Sequence, residues 1–197
     1  MSQARLPAVQ RRRQLLDVSL EVFARQGFHS ASMTDVAEAA GVTKPVLYQH
    51  FKSKRELYLE LLDDVGQRLL EEVQKATAAA GGPRQQVASG FAAYFRFVAD
   101  HESAFRLLFG GDGREADPQF ADAVRRVEDA MADAIAVLID ADIEDAHRRL
   151  LAYGVVGLAE ATSRHWVLTG RREEVDVLSR RVADLTWAGL RGIRPAA

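Results

Sequence analysis

The sequence predicts an all-α protein, and three observations carry that prediction. Every long segment spaces its apolar residues with the helical period, no segment alternates with period two between turn signals, and Gly or Pro punctuates the periodic stretches. About nine helices result. The chain has 197 residues, 48% of them hydrophobic and 27% charged, an ordinary globular balance. At this length a chain buries roughly 70–75% of its unfolded surface, so a core forms without covalent staples.

Each element has its own signal. Leu16, Leu20 and Phe23 recur on one face between residues 11 and 26, and Gly27 suits that helix's C-terminus. Ser32 stands three residues before Asp35, the spacing of a capping box, and opens a short helix ending near Gly41. Thr43 is placed to cap the next helix, with Lys44 and Pro45 in its first turn, and Ser53 to cap a longer one over residues 54–79. Gly81-Gly82-Pro83 is the clearest breaker. Beyond it, Val87, Phe91, Tyr94 and Val98 form one stripe, and a short apolar segment, 104–109, runs into a Gly110–Gly113 loop. Asp117-Pro118 then starts a helix whose face holds Phe120, Val124, Val127, Met131 and Leu138. Two more helices, 144–169 and 173–191, are separated by Gly170.

Composition excludes several chemistries. With no cysteine there is no disulfide framework, thiolate metal site or cysteine nucleophile. The five histidines, at 29, 50, 101, 147 and 165, show no His-Glu-x-x-His spacing, and no Gly-x-Ser-x-Gly elbow is present. The Gly110–Gly113 run lacks the Gly-Lys-Ser/Thr ending of a phosphate loop, and Asp63-Asp64 fall on helix positions expected to be exposed. An all-α enzyme is therefore the poorer alternative, and neither cofactor nor metal is expected. No early apolar run suggests a secretory signal, and the uncharged run 150–159 is short of a membrane span, so a cytoplasmic protein without a membrane partner is expected. Charge is unevenly placed: residues 1–60 hold nine Lys/Arg against six Asp/Glu, the remainder seventeen against twenty-two. A basic first third on an acidic body points to a nucleic-acid module.

Residues 32–54 place two short helices about a tight Gly turn, the arrangement of a helix-turn-helix. Small Ala37 and Ala40 allow close approach, Gly41 permits the turn, and Val36, Val42, Leu47 and Phe51 seal the corner. Lys44, Pro45, Val46, Tyr48, Gln49 and His50 remain around the outer and leading surface of the second helix, which suits a major groove. Taken singly, Tyr48 and Phe51 would read as core aromatics and His50 as an ordinary histidine; their order gives them meaning. Arg11-Arg12-Arg13 reads as a solvated helix start or as a basic arm for phosphate contacts.

Residues 23–28, 33–42 and 47–54 together resemble the DNA-binding domain of the TetR family of bacterial transcriptional regulators. The resemblance implies that the Ser32 hydroxyl and amide hold a phosphate, that Lys44, Pro45 and Val46 lie at the base edges, and that Tyr48 and His50 reach the sugar-phosphate backbone; Thr43 joins the DNA-binding set. Lys54 matches the family's phosphate-binding lysine. Gln49 departs from the aromatic residue common there, though chemically it can bridge adenine N6 and N7, as Lys44 can reach guanine O6 and N7. A boundary inside the fourth helix divides a DNA-binding domain, 1–60, from an effector-binding and dimerisation domain, 61–197.

In that second domain the resemblance implies a cavity for a hydrophobic effector, with Phe91, Tyr94, Phe109, Met131 and Tyr153 as lining candidates; each also reads as core. The run 150–159 is apolar all round and, with Leu178, Val182, Leu185 and Gly189, suggests a four-helix interface of a homodimer. The aromatic-rich fifth and sixth helices, with residues 153–158 and 164–166, are similar to actinobacterial members that sense fatty acyl-CoA. A member sensing hydrophobic drugs for an efflux system is the alternative. The expectation is a repressor released from a double-stranded, palindromic operator by its ligand, with Lys54→Ala weakening binding to all sequences.

Overall fold

The computed structural model describes residues 7–110 and 117–193, and among these it holds nine α-helices and no strand. They are α1 (Ala8–Ser30), α2 (Met33–Ala39), α3 (Lys44–His50), α4 (Lys54–Ala78), α5 (Pro83–Asp100), α6 (Glu102–Phe109), α7 (Pro118–Ala136), α8 (Asp145–Leu168) and α9 (Val175–Leu190). Most of the expected Gly110–Gly113 loop, residues 111–113, lies outside the described residues. The all-helical expectation holds, with helix ends within a few residues of their signals.

Packing divides the chain into two units: residues 1–65 with 103–124, and residues 66–102 with 125–197. The first unit is therefore not a contiguous stretch of sequence. Its core is the buried face of α1 (Leu15, Leu16, Leu20, Val22, Phe23), the corner of α2 and α3 (Val36, Ala37, Leu47), and the start of α4 (Leu57, Tyr58, Leu61, Leu62). Gly27 breaks α1 with a left-handed φ of 74°, and the chain leaves the helical path there. Phe28, released by that break, joins an aromatic cluster: its ring centroid lies 5.0 Å from Tyr58 and 4.7 Å from Phe120, while Tyr58 lies 4.6 Å from Phe120 and 5.1 Å from Phe23. Phe120 is completely buried.

In the second unit α9 lies along α5, and α8 packs on both. Phe91, Tyr94, Phe95 and Val98 of α5 and Val182, Ala183 and Thr186 of α9 are buried there, with Ala152, Ala159, Ser163 and Trp166 of α8. Val182 is thus interior to the protomer, which corrects its expected place on the intersubunit face. The helical period explains this, since Val182 and Leu185 are three residues apart near the edge of the stripe and only Leu185 is exposed. Leu138 is corrected too, because α7 ends at Ala136 and Leu138 lies half-buried beyond it while Ile139 fills the core. Asp64, expected to be exposed, is half-buried and paired with Arg13 of α1 at 2.6 Å.

Candidate nucleic-acid interface

The corner between α2 and α3 is built from backbone geometry that the sequence specifies. Ser32 and Asp35 form the capping box: the Asp35 amide donates to the Ser32 hydroxyl at 3.2 Å, and the Ser32 amide donates to the Asp35 carboxylate at 2.8 Å. The Ser32 hydroxyl donates to the same carboxylate at 2.7 Å. Those two donors, hydroxyl first, hold the Asp35 carboxyl below the usual carboxylate range, with a smaller contribution from the Lys44 charge. At the other end of α2, the Val42 amide bonds the Ala37 carbonyl (2.9 Å) and the Gly41 amide the Glu38 carbonyl (3.1 Å). This double closure needs a left-handed residue between, and Gly41 supplies it at φ 64°.

Thr43 is the N-cap of α3, but its side chain makes no capping bond; the backbone carbonyl accepts from Val46 and Leu47 instead. Leu47 and Phe51 are completely buried and fix which face of α3 turns inward. The rest of the helix follows by geometry. Thr43, Lys44, Pro45, Tyr48 and Gln49 are exposed, Val46 and His50 half-buried. One outward edge therefore carries a cation, three side chains able to donate and accept, and apolar Pro45, a combination suited to phosphates, base edges and thymine methyls.

Two other expected contacts are committed elsewhere. Both donors of Ser32 point to Asp35. The Lys54 ammonium donates to the carbonyls of Phe28 (2.7 Å), Ala31 (2.9 Å) and His29 (3.3 Å), and sits 4.4 Å from the Phe28 ring centroid. It closes the end of α1, where helix carbonyls lack partners and a cation is favoured. We expect Lys54→Met to lower stability by about 1–3 kcal/mol in urea denaturation. The salt dependence of DNA binding should keep its wild-type slope; a slope shallower by about one would restore a phosphate contact to Lys54. Sequence reasoning missed Arg12 and Arg13, which turn inward. Arg12 donates to the His50 carbonyl at 2.6 Å and pairs with Glu60, and Arg13 pairs with Asp64 and Asp17. A run of three arginines carries no mark of which ones fold back; acids spaced four apart at 60 and 64 are the one available signal.

The effector candidates are spread through the interior. Phe91, Tyr94 and Met131 are buried in the second unit, and Phe91 stacks on Phe95. The Tyr94 hydroxyl meets Ser163 at 3.2 Å, and Ser163 in turn bonds the Glu160 carbonyl. Burial pushes the Tyr94 hydroxyl pKa far up, so it remains protonated. Tyr153 is half-buried with its hydroxyl on Asp129. Phe109 is buried in the first unit beside Phe105. A groove of about 700 Å³ runs between α4 and α5, floored by Ala76, Ala92 and Ala93 and rimmed by charges of both signs, and none of the five candidates lines it. Among the described residues no helix is long and apolar enough to cross a membrane, and no cluster of His, Asp and Glu is placed to hold a metal ion.

Residues 15–61 match the family model described as bacterial regulatory proteins, tetR family, and residues 83–189 match the tetracyclin repressor-like C-terminal domain. The chain is 37% identical over 188 residues to the HTH-type transcriptional activator FasR of Mycolicibacterium smegmatis, covering 94% of this chain and 85% of that protein. It is 25% identical to the transcriptional repressor KstR2 of the same organism, over 94% of this chain and 80% of that one. A TetR-like regulator from Rhodococcus sp. RHA1 superposes with a TM-score of 0.78 at 30% identity, covering 96% of this chain and all of the other. FadR of Bacillus subtilis, solved with stearoyl-CoA, shares the fold alone, at a TM-score of 0.77 and 17% identity over 90% of this chain and 98% of that one. Helix order, the exposed edge of α3 and these likenesses converge: the chain belongs to the TetR family of bacterial transcription regulators, and it is a DNA-binding regulator, not an enzyme.

Proposed function

We propose that this regulator binds a palindromic operator as a homodimer and leaves it when a fatty acyl-CoA enters the second unit. The observation that carries DNA reading is the exposed edge Thr43–Lys44–Pro45–Tyr48–Gln49, set on a completely buried Leu47. Two such edges, one per subunit, fit successive major-groove faces about 34–36 Å apart. A dimer is supported by the uncovered apolar face of α8 and α9: Leu150 and Leu185 are 68% and 63% exposed, and Gly154, Gly157 and Gly189 leave open space beside them. The acyl ligand is supported by the buried aromatic side chains of α5, with the Tyr94–Ser163 pair as a polar group among them, and by the fatty-acid regulators among the relatives.

Repression or activation depends on where the operator lies relative to the promoter, and the relatives include one of each sign. The reading is tested by selecting duplexes with the purified protein and titrating the selected duplex with acyl-CoA of increasing chain length. A ligand coupling of about 1–3 kcal/mol lowers operator affinity about 5–150-fold. Unchanged affinity at saturating acyl-CoA, or release by a hydrophobic drug alone, overturns the acyl reading. Within the same assay, Lys44→Ala should relax preference at a single base pair by about 1–3 kcal/mol. A uniform loss across all sequences would make Lys44 a phosphate contact instead.

A further inference from the structure

We infer that Arg12 is a positioning residue for the recognition helix, setting the angle at which Tyr48, Gln49 and His50 are presented to DNA. The inference rests on α3 being the DNA-reading element. A helix of seven residues has almost no hydrogen-bonded interior, so its ends decide its orientation. The front end of α3 is held by the Gly41 turn. At its back end the last carbonyl, that of His50, accepts from one arm of the Arg12 guanidinium at 2.6 Å. The other arm pairs with Glu60 on α4, and the guanidinium plane sits 4.4 Å from the centroid of the Phe51 ring, the residue that ends α3. Three elements thus meet on one side chain: α1 supplies the cation, α4 the carboxylate and α3 the carbonyl.

The chemistry requires arginine. Only a planar fork can serve a carbonyl and a carboxylate with separate N–H groups while stacking on an aromatic face; a lysine ammonium is a point charge without that plane. The cation also lies where the helix dipole of α3 is negative. Arg13 repeats the pattern one turn further along α4, at Asp64, so neighbouring arginines are both drawn toward α4. Arg12 is half-exposed, which makes a direct phosphate contact the competing role.

The two roles separate in one experiment. A duplex selected from a random pool by the wild-type protein, and an unselected random duplex, are titrated across a potassium chloride series with wild type, Arg12→Ala, Arg12→Lys and Glu60→Gln. Hydrogen exchange of the segment 44–52 is read by mass spectrometry on the same proteins without DNA. A positioning role predicts a roughly tenfold loss on the selected duplex for Arg12→Ala and Arg12→Lys alike, less than twofold on the random duplex, and an unchanged salt slope. Exchange across 44–52 then rises in all three variants, least in Glu60→Gln. A phosphate contact predicts the reverse: a slope shallower by about one in Arg12→Ala, equal losses on both duplexes, and recovery in Arg12→Lys, and that result overturns the inference. So does wild-type behaviour in all variants. If Arg12→Ala does not fold, Arg12→Lys and Glu60→Gln decide the matter by the same readouts. Failure of the wild type to select any duplex would sink the DNA-reading assignment of α3, while the exchange data would still show whether the clamp exists.

Discussion

Phe120→Ala is expected to lower the unfolding free energy by about 3–5 kcal/mol, the range for deleting a fully buried aromatic ring. Phe120 is completely buried, and its ring is shared by Phe28 and Tyr58 at 4.7 and 4.6 Å, so neither of these two can close the void without losing its other contacts. Phe120 is seventy residues past His50, the last residue of the recognition helix, yet belongs to the same packed unit. DNA affinity should fall with stability. Both tryptophans, Trp166 and Trp187, lie in the other unit, so unfolding is best followed by circular dichroism in urea. A loss under about 1 kcal/mol would show that the aromatic cluster is loosely packed and that Phe120 is replaceable.

Gly66→Ala is the second large effect. A Cβ built on Gly66 would stand 2.2 Å from one Val127 methyl carbon, closer than real Cβ atoms approach, and a tight 3.0 Å from the other. Val127 is buried and β-branched, so its methyls cannot swing aside freely. Alanine is the better helix former by about 1 kcal/mol, but a clash of this depth outweighs that gain. Overpacking of this kind costs about 1–3 kcal/mol, and we expect the upper end. The decisive comparison is a double-mutant cycle: with Val127→Ala present, Gly66→Ala should become neutral or stabilising, a coupling of about 1–3 kcal/mol. Additive effects would mean that α4 and α7 separate without resistance at this point.

How much of this was legible in the sequence depends on the range of the forces involved. Local rules placed the elements well: the Ser32–Asp35 box, the Gly41 turn, Pro45 in the first turn of α3 and the Gly82-Pro83 start of α5 all act within four residues, and all stand where their signals put them. The exposed edge of α3 was readable for the same reason, because a buried Leu47 and Phe51 leave little choice for the residues between. What failed was everything decided across the chain. Charge reads Arg12 and Arg13 as facing solvent or phosphate, and the family resemblance gives Lys54 a phosphate, whereas carboxylates on α4 and orphaned helix carbonyls hold these three side chains. Periodicity put Val182 on an interface because it cannot tell a helix's two apolar neighbours apart. Aromatic content marked Phe91, Tyr94 and Phe109 without saying which of them merely fill a core.

The composition of the first unit has a consequence for how the protein is made. Val65 leaves the ribosome well before residue 124, and synthesis at about 5–20 residues per second puts roughly 3–12 s between them. Throughout that interval Phe28 and Tyr58 have no Phe120 to close upon. The nascent helix-turn-helix waits with an open apolar seam while the whole of α5 and α6 is translated, so the reading head, though encoded first, is completed only after part of the body has emerged.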